Sequence, residues 1–193
     1  MFQYANETLE LAAENGLGFY RTLASILRGW SLAALGRTDE GIPFLSAGLA
    51  GWHELGAVIL RPWVRTLLGD ACRMAGQWQA ALEHLNEARR RADDTLDRWC
   101  QAETVRLSGD VLAAIGNPMG AEASYHEAIA IAQQQSAKLW ELCAAMSLAR
   151  LWRGRDKRSE ARDLLAPVYN WFTEGFGTPV LQEAKALLEE LAV

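Results

Sequence analysis

The chain has 193 residues, of which 50% are hydrophobic and 22% are charged, and this composition excludes a disordered or collagen-like protein. The formal net charge of −5 argues against a general nucleic-acid binder, because such proteins usually carry a strongly basic surface. No apolar run approaches the ~20 residues of a membrane-spanning helix, and the first residues do not resemble a secretory signal. We therefore expect a cytoplasmic protein.

Apolar residues recur along the chain at the i, i+3, i+4 and i+7 spacing of amphipathic helices, and no stretch alternates as a half-buried strand does. The pattern predicts an all-α chain that begins with a single helix over residues 2–15. Four helix pairs follow, over residues 17–35 and 38–55, 57–75 and 78–95, 97–115 and 118–135, and 138–155 and 158–174. A last helix over residues 179–192 begins with Thr178 as a candidate N-cap and Pro179 at its first position. Three prolines fall near or inside helical pattern and predict a late start or a kink: Pro43, Pro62 and Pro167.

The sequence repeats with a period of 40 residues, and four segments align without a gap: Ser25–Leu49, Arg65–Arg89, Val105–Ile129 and Ala145–Tyr169. Two columns hold small residues: Gly29, Gly69, Gly109 and Ala149, then Gly41, Ala81, Ala121 and Ala161. A turn column lies between them: Gly36, Gly76, Gly116 and Asp156. A column of large residues (Leu45, Leu85, Tyr125 and Leu165) precedes a further column of Gly48, Ala88, Ala128 and Val168. The pattern predicts stacked helix pairs, none of which can bury its apolar face alone.

The spacing of these columns, which reads Gly69, Gly76, Ala81, Leu85 and Ala88 in the second repeat, resembles the tetratricopeptide (TPR) repeat. The period is longer than the ~34 residues of that family, and the Trp and Pro columns of the family hold other residues here. The resemblance implies a right-handed α-solenoid of antiparallel helix pairs. We predict a single domain over residues 1–193, divided into a half repeat (1–16), four repeats (17–56, 57–96, 97–136 and 137–176) and a terminal helix (177–193).

A second resemblance concerns the stretch Ala121–Leu191. It is similar to the C-terminal part of large bacterial regulators that join a class III adenylate or guanylate cyclase domain, or a DNA-binding domain, to an ATPase domain and TPR-like repeats. The first helix also has the register of a second helix whose partner is missing. We therefore expect the chain to be part of a multidomain bacterial signalling protein, or to pair through that helix, which leaves a homodimer open. None of the cyclase or ATPase residues lies in this chain.

Motifs for catalysis and cofactor binding are absent from the sequence. There is no GxxxxGK[ST] loop, no GxGxxG after a strand and no GxSxG elbow. The three histidines form no HExxH motif and no cluster with the three cysteines, which lack a CxxC spacing and are expected to be reduced thiols. We therefore predict a non-enzyme with no metal site and no cofactor. A convergent hydrolase stays open, because such sites are recognised by geometry.

In the TPR family the first helix of each pair lines a concave groove. Carried over to this sequence, the register gives candidate partner-binding residues: Trp30, Trp63, Thr66, Asp70, Arg73, Glu103, Arg106, Asp110, Arg150 and Arg153. This lining is aromatic at one end, mixed in charge in the middle and basic at the other, and aromatic and Arg side chains are common binding hot spots. The groove either contacts a protein segment or is solvated and closed by internal pairs, such as Asp110 with Arg73 or Arg150. Trp99 and Trp140, which begin successive first helices in the predicted register, are assigned to packing.

The favoured function is a non-catalytic protein-interaction or regulatory module. Its partner would be a protein or peptide segment, with the upstream domains of the same polypeptide among the candidates. The alternative is a sensor that binds a small effector in the groove. The basic stretch Arg150–Arg162 raises nucleic acid as a third partner, but a solvated turn with i,i+4 ion pairs is the favoured interpretation, because only Trp152 offers a stacking surface there.

Overall fold

The computed structural model describes residues 2–192, and this part of the chain contains ten α-helices and no β-strand. In chain order the helices are α1 (Phe2–Glu14), α2 (Gly18–Ala34), α3 (Thr38–Glu54), α4 (Arg61–Met74), α5 (Trp78–Thr95), α6 (Gln101–Ala114), α7 (Pro118–Gln134), α8 (Lys138–Arg153), α9 (Arg158–Asn170) and α10 (Pro179–Glu190). Each predicted helix is present.

Three helix boundaries differ from the sequence prediction by about a turn. Helix α4 begins at Arg61 rather than residue 57, with Pro62 in its first turn, where a missing backbone N–H costs nothing. This confirms the late start predicted for Pro62. Helix α6 begins at residue 101 rather than 97, and α9 ends at residue 170 rather than 174. Pro43 and Pro167 lie inside α3 and α9, which continue past them.

The chain divides into two compact units, one up to Cys100 and one from Gln101 onward. In unit 1, α2 packs on α3 and α4 packs on α5, with α1 against α2. Its core contains Ile26, Leu45 and Trp52. In unit 2, α6 packs on α7 and α8 on α9, while α10 packs on both α8 and α9. The core of unit 2 includes Leu142 and Leu165.

The small-residue columns lie where paired helices touch, as predicted. A Cβ on Gly41 would lie 2.5 Å from the carbonyl oxygen of Gly29, so a side chain there would force the backbones of α2 and α3 apart. A Cβ on Gly69 would lie 2.7 Å from Leu85 Cγ. The alanines of the second small-residue column are also fully buried: Ala81, Ala121 and Ala161. So are the leucines of the large-residue column: Leu45, Leu85 and Leu165.

The turn column adopts the left-handed backbone conformation that glycine tolerates best. Its four members have positive φ: Gly36 (82°), Gly76 (71°), Gly116 (79°) and Asp156 (59°). The structure also shows a second left-handed column with the same period, between one helix pair and the next: Gly16 (66°), Gly56 (66°), Leu96 (58°) and Ser136 (54°). Sequence reasoning missed this second column because only two of its four residues are glycines.

Candidate functional site

In unit 1 the candidate residues of α2 and α4 meet at the carboxylate of Asp70. Trp30 Nε1 donates a hydrogen bond to Asp70 Oδ2 at 2.9 Å. Arg73 donates through Nε and Nη2 to Asp70 Oδ1, at 2.9 and 2.7 Å. Asp70 is buried, whereas 30% of the Arg73 side chain is exposed. The carboxylate is thus held between an indole and a guanidinium whose outer part reaches solvent.

Trp63 and Thr66, one turn apart on α4, have different surroundings. Trp63 is half-buried and packs against the core of unit 1, and its ring centroid lies 6.1 Å from that of Trp99. Trp99 is 45% exposed and precedes α6 instead of beginning it. Thr66 is buried, and its hydroxyl donates to the Pro62 carbonyl at 3.0 Å. The two indoles therefore form an aromatic surface, to which Thr66 adds little accessible area. Sequence reasoning missed Trp99 because the predicted register assigned it to packing.

A cavity of about 350 Å³ opens between α1 and α2 in the same unit. Its lining is almost entirely apolar: Tyr4, Ala5, Thr8, Leu23, Ala24 and Leu27. Leu23, Leu27 and Trp30 follow the i, i+4, i+7 spacing of one helix face, so the cavity borders the face of α2 that carries Trp30. The sequence pattern showed the apolar face of α1 but gave no sign of a cavity.

In unit 2 the candidate residues of α6 form a closed ionic network around Arg106. Its Nε and Nη2 donate to the two oxygens of Glu103, both at 2.6 Å, and its Nη1 donates to Asp110 Oδ2 at 2.7 Å and to Ser147 Oγ at 3.2 Å. The Tyr125 hydroxyl donates to the other Asp110 oxygen at 2.9 Å. The sequence suggested pairs of Asp110 with Arg73 or Arg150; the structure pairs it with Arg106, because residues four apart are neighbours on a helix.

The electrostatics of this network favour a permanently charged Arg106. Burial lowers the pKa of the guanidinium, but the charge and hydrogen bonds of Glu103, with help from Asp110, outweigh it and raise that pKa well above its ordinary value. Burial also raises the pKa of the nearby Cys143 thiol to about 11, with Glu103 adding to the effect and Arg106 opposing it. The thiol is therefore protonated at neutral pH, and a protonated thiol is a poor nucleophile.

Arg150 and Arg153, the basic end of the predicted lining, are paired with carboxylates of α10. Arg150 Nη2 donates to Glu183 Oε2 at 3.0 Å, and Arg153 donates to Glu190. All four side chains are substantially exposed, and exposed pairs of this kind contribute little stability. This pairing could not be predicted from the sequence repeat, because α10 follows the last of the four aligned segments.

Metal-binding clusters and membrane-spanning helices are absent from the part of the chain that the structure describes. Among residues 2–192 no group of three His, Cys, Asp or Glu side chains is arranged to hold a metal ion. None of the helices in this range is long and apolar enough to cross a membrane.

Comparison with known proteins gives one family and several structures. The tetratricopeptide repeat family matches residues 21–94, and no curated protein matches the sequence. The TPR-like repeats of a putative kinesin light chain from Podosopora anserina are 20% identical, with a TM-score of 0.62 over 89% of this chain and 93% of that one. BtubC (BKLC) from P. vanneervenii is 14% identical, with a TM-score of 0.73 over 99% and 88% of the two chains.

Two further structures belong to larger chains. A Rap protein complexed with competence and sporulation factor is 14% identical, with a TM-score of 0.67 over 99% of this chain and 57% of that one. The second is a STAND protein (signal transduction ATPase with numerous domains) from Pyrococcus horikoshii that has a tetratricopeptide repeat sensor. It is 17% identical, with a TM-score of 0.64 over 97% of this chain and 29% of that one. The chain therefore contains a TPR-like repeat region, and the predicted all-α helical-repeat solenoid fold is confirmed. The similarity of Ala121–Leu191 to bacterial cyclase-linked regulators stays a prediction.

Proposed function

We propose that this chain is a non-catalytic interaction module that binds an extended protein segment on the first helices of unit 1. The observation that carries the proposal is the placement of two kinds of anchor on α4 and its surroundings. The Trp63–Trp99 pair offers aromatic surface, and Arg73 offers a guanidinium that its bonds to Asp70 hold in one orientation. Trp, Tyr and Arg are the residue types that dominate binding energy at interfaces, and a preformed surface limits the entropy lost on binding.

Unit 1 is favoured over unit 2 as the place of the contact surface because the guanidinium of Arg106 has all three nitrogens bonded, whereas that of Arg73 has two. Arg106 directs all three of its nitrogens at Glu103, Asp110 and Ser147, and only 15% of its side chain is exposed. A partner would have to break those bonds to reach it. Glu103, Arg106 and Asp110 are therefore proposed to hold unit 2 together. Trp63, Trp99 and Arg73 are proposed to form the contact surface, with Arg73 held in place by Asp70 and Trp30.

A small-effector sensor is the second candidate function, and the cavity between α1 and α2 is the observation that favours it. Its volume of about 350 Å³ falls at the lower end of the ~300–1,000 Å³ typical of ligand pockets. Its apolar lining suits a hydrophobic effector or the hydrophobic side chain of a bound segment.

The proposed context is a multidomain bacterial signalling protein of the cytoplasm, with an attached cyclase or ATPase domain as the proposed partner. The TPR sensor of the STAND ATPase supports this context, since there such repeats accompany an ATPase in one chain. The Rap complex supports a peptide partner. A second copy of this chain is the alternative partner, because Tyr4 and Leu11 leave apolar surface exposed on α1.

Selection of binding peptides from a displayed library of random 12-residue segments tests the proposal. Peptides enriched by the full chain are synthesised, and their dissociation constants are measured by fluorescence anisotropy for the wild type, Trp63→Ala and Arg73→Gln. A true hot spot loses at least ~2 kcal/mol on truncation, so we expect affinity to fall by about thirtyfold or more. Circular dichroism establishes that each variant is folded.

Trp171→Ala is the matched control, because Trp171 is an exposed indole of unit 2 outside the proposed surface. It should bind the peptides with wild-type affinity. If Trp171→Ala weakens binding as much as Trp63→Ala does, the peptides recognise exposed tryptophans in general and the proposed surface is wrong. Enrichment of no peptide, together with a small hydrophobic compound that raises the unfolding midpoint, would favour the sensor function.

A further inference from the structure

A small basic pocket lies in unit 1, between α3, α4 and α5. It is lined by Leu49, His53, Arg61, Arg65 and Arg91 and has a volume of about 50 Å³. None of these residues belongs to the candidate lining on the first helices. The pocket thus brings three arginines and a histidine together at a place to which the proposed function gives no role.

Of the three arginines that line the pocket, Arg91 pairs with a carboxylate of the described residues, whereas Arg61 and Arg65 do not. Glu87 accepts hydrogen bonds from Arg90 and from Arg91, the latter at 2.6 Å. Arg61 donates instead to the backbone carbonyl of Ala57, at 2.6 Å. Among the described residues, no carboxylate lies within ion-pair distance of Arg61 or Arg65. Glu87 therefore neutralises only part of the charge of Arg90 and Arg91, and Arg61 and Arg65 on α4 add two further positive charges.

The neighbouring charges affect the pKa of Arg65. Burial lowers the pKa of Arg65, the charges of Arg91 and Arg90 act in the same direction, and Glu87 opposes them. Arg65 Nη1 lies 3.5 Å from Nδ1 of His84, whose own pKa is lowered by burial and then by Arg65. Both effects favour the neutral imidazole of His84.

We propose that this pocket binds a phosphate-type oxyanion. Guanidinium groups match the geometry and charge of phosphate oxygens and donate to them in pairs. A volume of about 50 Å³ is far below the ~300–1,000 Å³ of pockets that enclose a whole drug-sized ligand, so the pocket suits a small group such as an oxyanion and excludes a nucleoside. His53, which lines the pocket, is exposed, so any larger part of the ligand would extend into solvent.

Titration of the full chain with two probes tests the proposal. Inorganic phosphate and O-phospho-L-serine are added at constant ionic strength, with sodium chloride as the balancing salt, and both calorimetric affinity and the unfolding midpoint are measured. We expect each probe to bind and to raise the midpoint above that in chloride alone. A higher affinity for phosphoserine would indicate the phosphate of a larger ligand, and a higher affinity for inorganic phosphate would indicate the free ion; either result supports the pocket.

Arg65→Gln should weaken phosphate binding at least tenfold, and Arg61→Gln serves as the second variant if the first does not fold. Arg37→Gln is the matched control, since it removes the same charge from an exposed pair with Glu40 at the start of α3, more than ten residues from His53 along the helix. It should bind phosphate as the wild type does. The proposal fails if phosphate gives no effect beyond chloride, or if Arg37→Gln loses affinity as much as the pocket variants do.

Discussion

The indole of Trp30 donates a hydrogen bond to the carboxylate of Asp70, at 2.9 Å and a sequence separation of one repeat period. The two residues occupy the same column, directly after the small residues Gly29 and Gly69. The bond therefore joins equivalent positions of successive first helices. In unit 2 the same column holds Asp110 and Arg150, which instead bond to Arg106 and to Glu183. One repeat position thus serves as a link between repeats in unit 1 and as part of two ion pairs in unit 2.

Asp70→Ala should lower the free energy of unfolding of unit 1. The substitution leaves the partly buried Trp30 N–H and the Arg73 guanidinium without their acceptor, and such a loss costs about 1–3 kcal/mol. Urea unfolding of Asp70→Ala, Trp30→Phe and the double variant measures the coupling between the two residues. We expect a coupling energy of at least ~0.5 kcal/mol; additive effects would show that the hydrogen bond contributes nothing measurable.

Arg106→Met should destabilise the protein far more than Arg150→Met does. Removal of Arg106 takes away the guanidinium that Glu103 and Asp110 share, and loss of one partner of a buried ion pair costs about 3–5 kcal/mol. Arg150 and Glu183 are exposed, so their pair contributes at most ~1 kcal/mol. Chemical denaturation of both variants gives the comparison. Equal, small effects would mean that water reaches the Arg106 network freely.

The repeat columns could be predicted from the sequence because they express geometry that every repeat must satisfy. Gly41 and Gly69 mark close approaches of helices, and any larger side chain would meet the backbone or side chains of the paired helix. The bonding of charged side chains follows no such rule. Arg106 has possible partners before and after it on α6 and on α8, and only the fold decides that Glu103, Asp110 and Ser147 all bind it. The sequence register correctly brought Asp70 and Arg73 onto one helix face, but it could not show that Thr66 is buried beside them.

The lining of the basic pocket also could not be predicted from the sequence. Arg61 and Arg65 are one turn apart on α4, which the sequence shows, but His53 and Arg91 reach them from the ends of other helices. Arg91 falls in the last part of the helix predicted over residues 78–95, where cations complement the helix dipole. Nothing in that local pattern indicates that three guanidiniums would line a shared cavity.

Gly41→Ala should be the most costly of the glycine-to-alanine changes at helix contacts. Its new Cβ would lie 2.5 Å from the backbone oxygen of Gly29, and a backbone atom cannot move aside as a flexible side chain can. We expect a loss of about 1–3 kcal/mol, as for other overpacked sites, and the same range for Ala81→Leu and Ala121→Leu. Gly177→Ala is the control, because no atom lies within 4 Å of its Cβ position. Thermal unfolding midpoints of Gly41→Ala and Gly177→Ala should differ clearly.

Leu96→Gly should stabilise the protein, although it removes a large apolar side chain. Leu96 has a φ of 58° and is 74% exposed, so it bears the cost of a left-handed backbone, about 1–2 kcal/mol, and buries little in return. Glycine relieves that strain but gains entropy in the unfolded state, so we expect a net gain of up to about 1 kcal/mol. Gly116→Ala, the reverse change at a φ of 79°, should be destabilising. A loss of stability in Leu96→Gly would show that its side chain makes a needed contact.

Cys143 should react with iodoacetamide much more slowly than an ordinary thiol. Its pKa of about 11 lies some two units above the unfolded value, and each unit lowers the thiolate fraction about tenfold near neutral pH. Because the folded pKa is the higher one, the folded state binds the extra proton, so its stabilising contribution is complete below pH 9 and declines as the pH rises towards 11. Peptide mapping by mass spectrometry at pH 8 should therefore show about a hundredfold slower labelling of Cys143 in the native chain than in urea. The stability of the wild type should also fall more between pH 9 and 11 than that of Cys143→Ala; parallel pH profiles and rapid native labelling would show that the thiol is not shielded as the structure indicates.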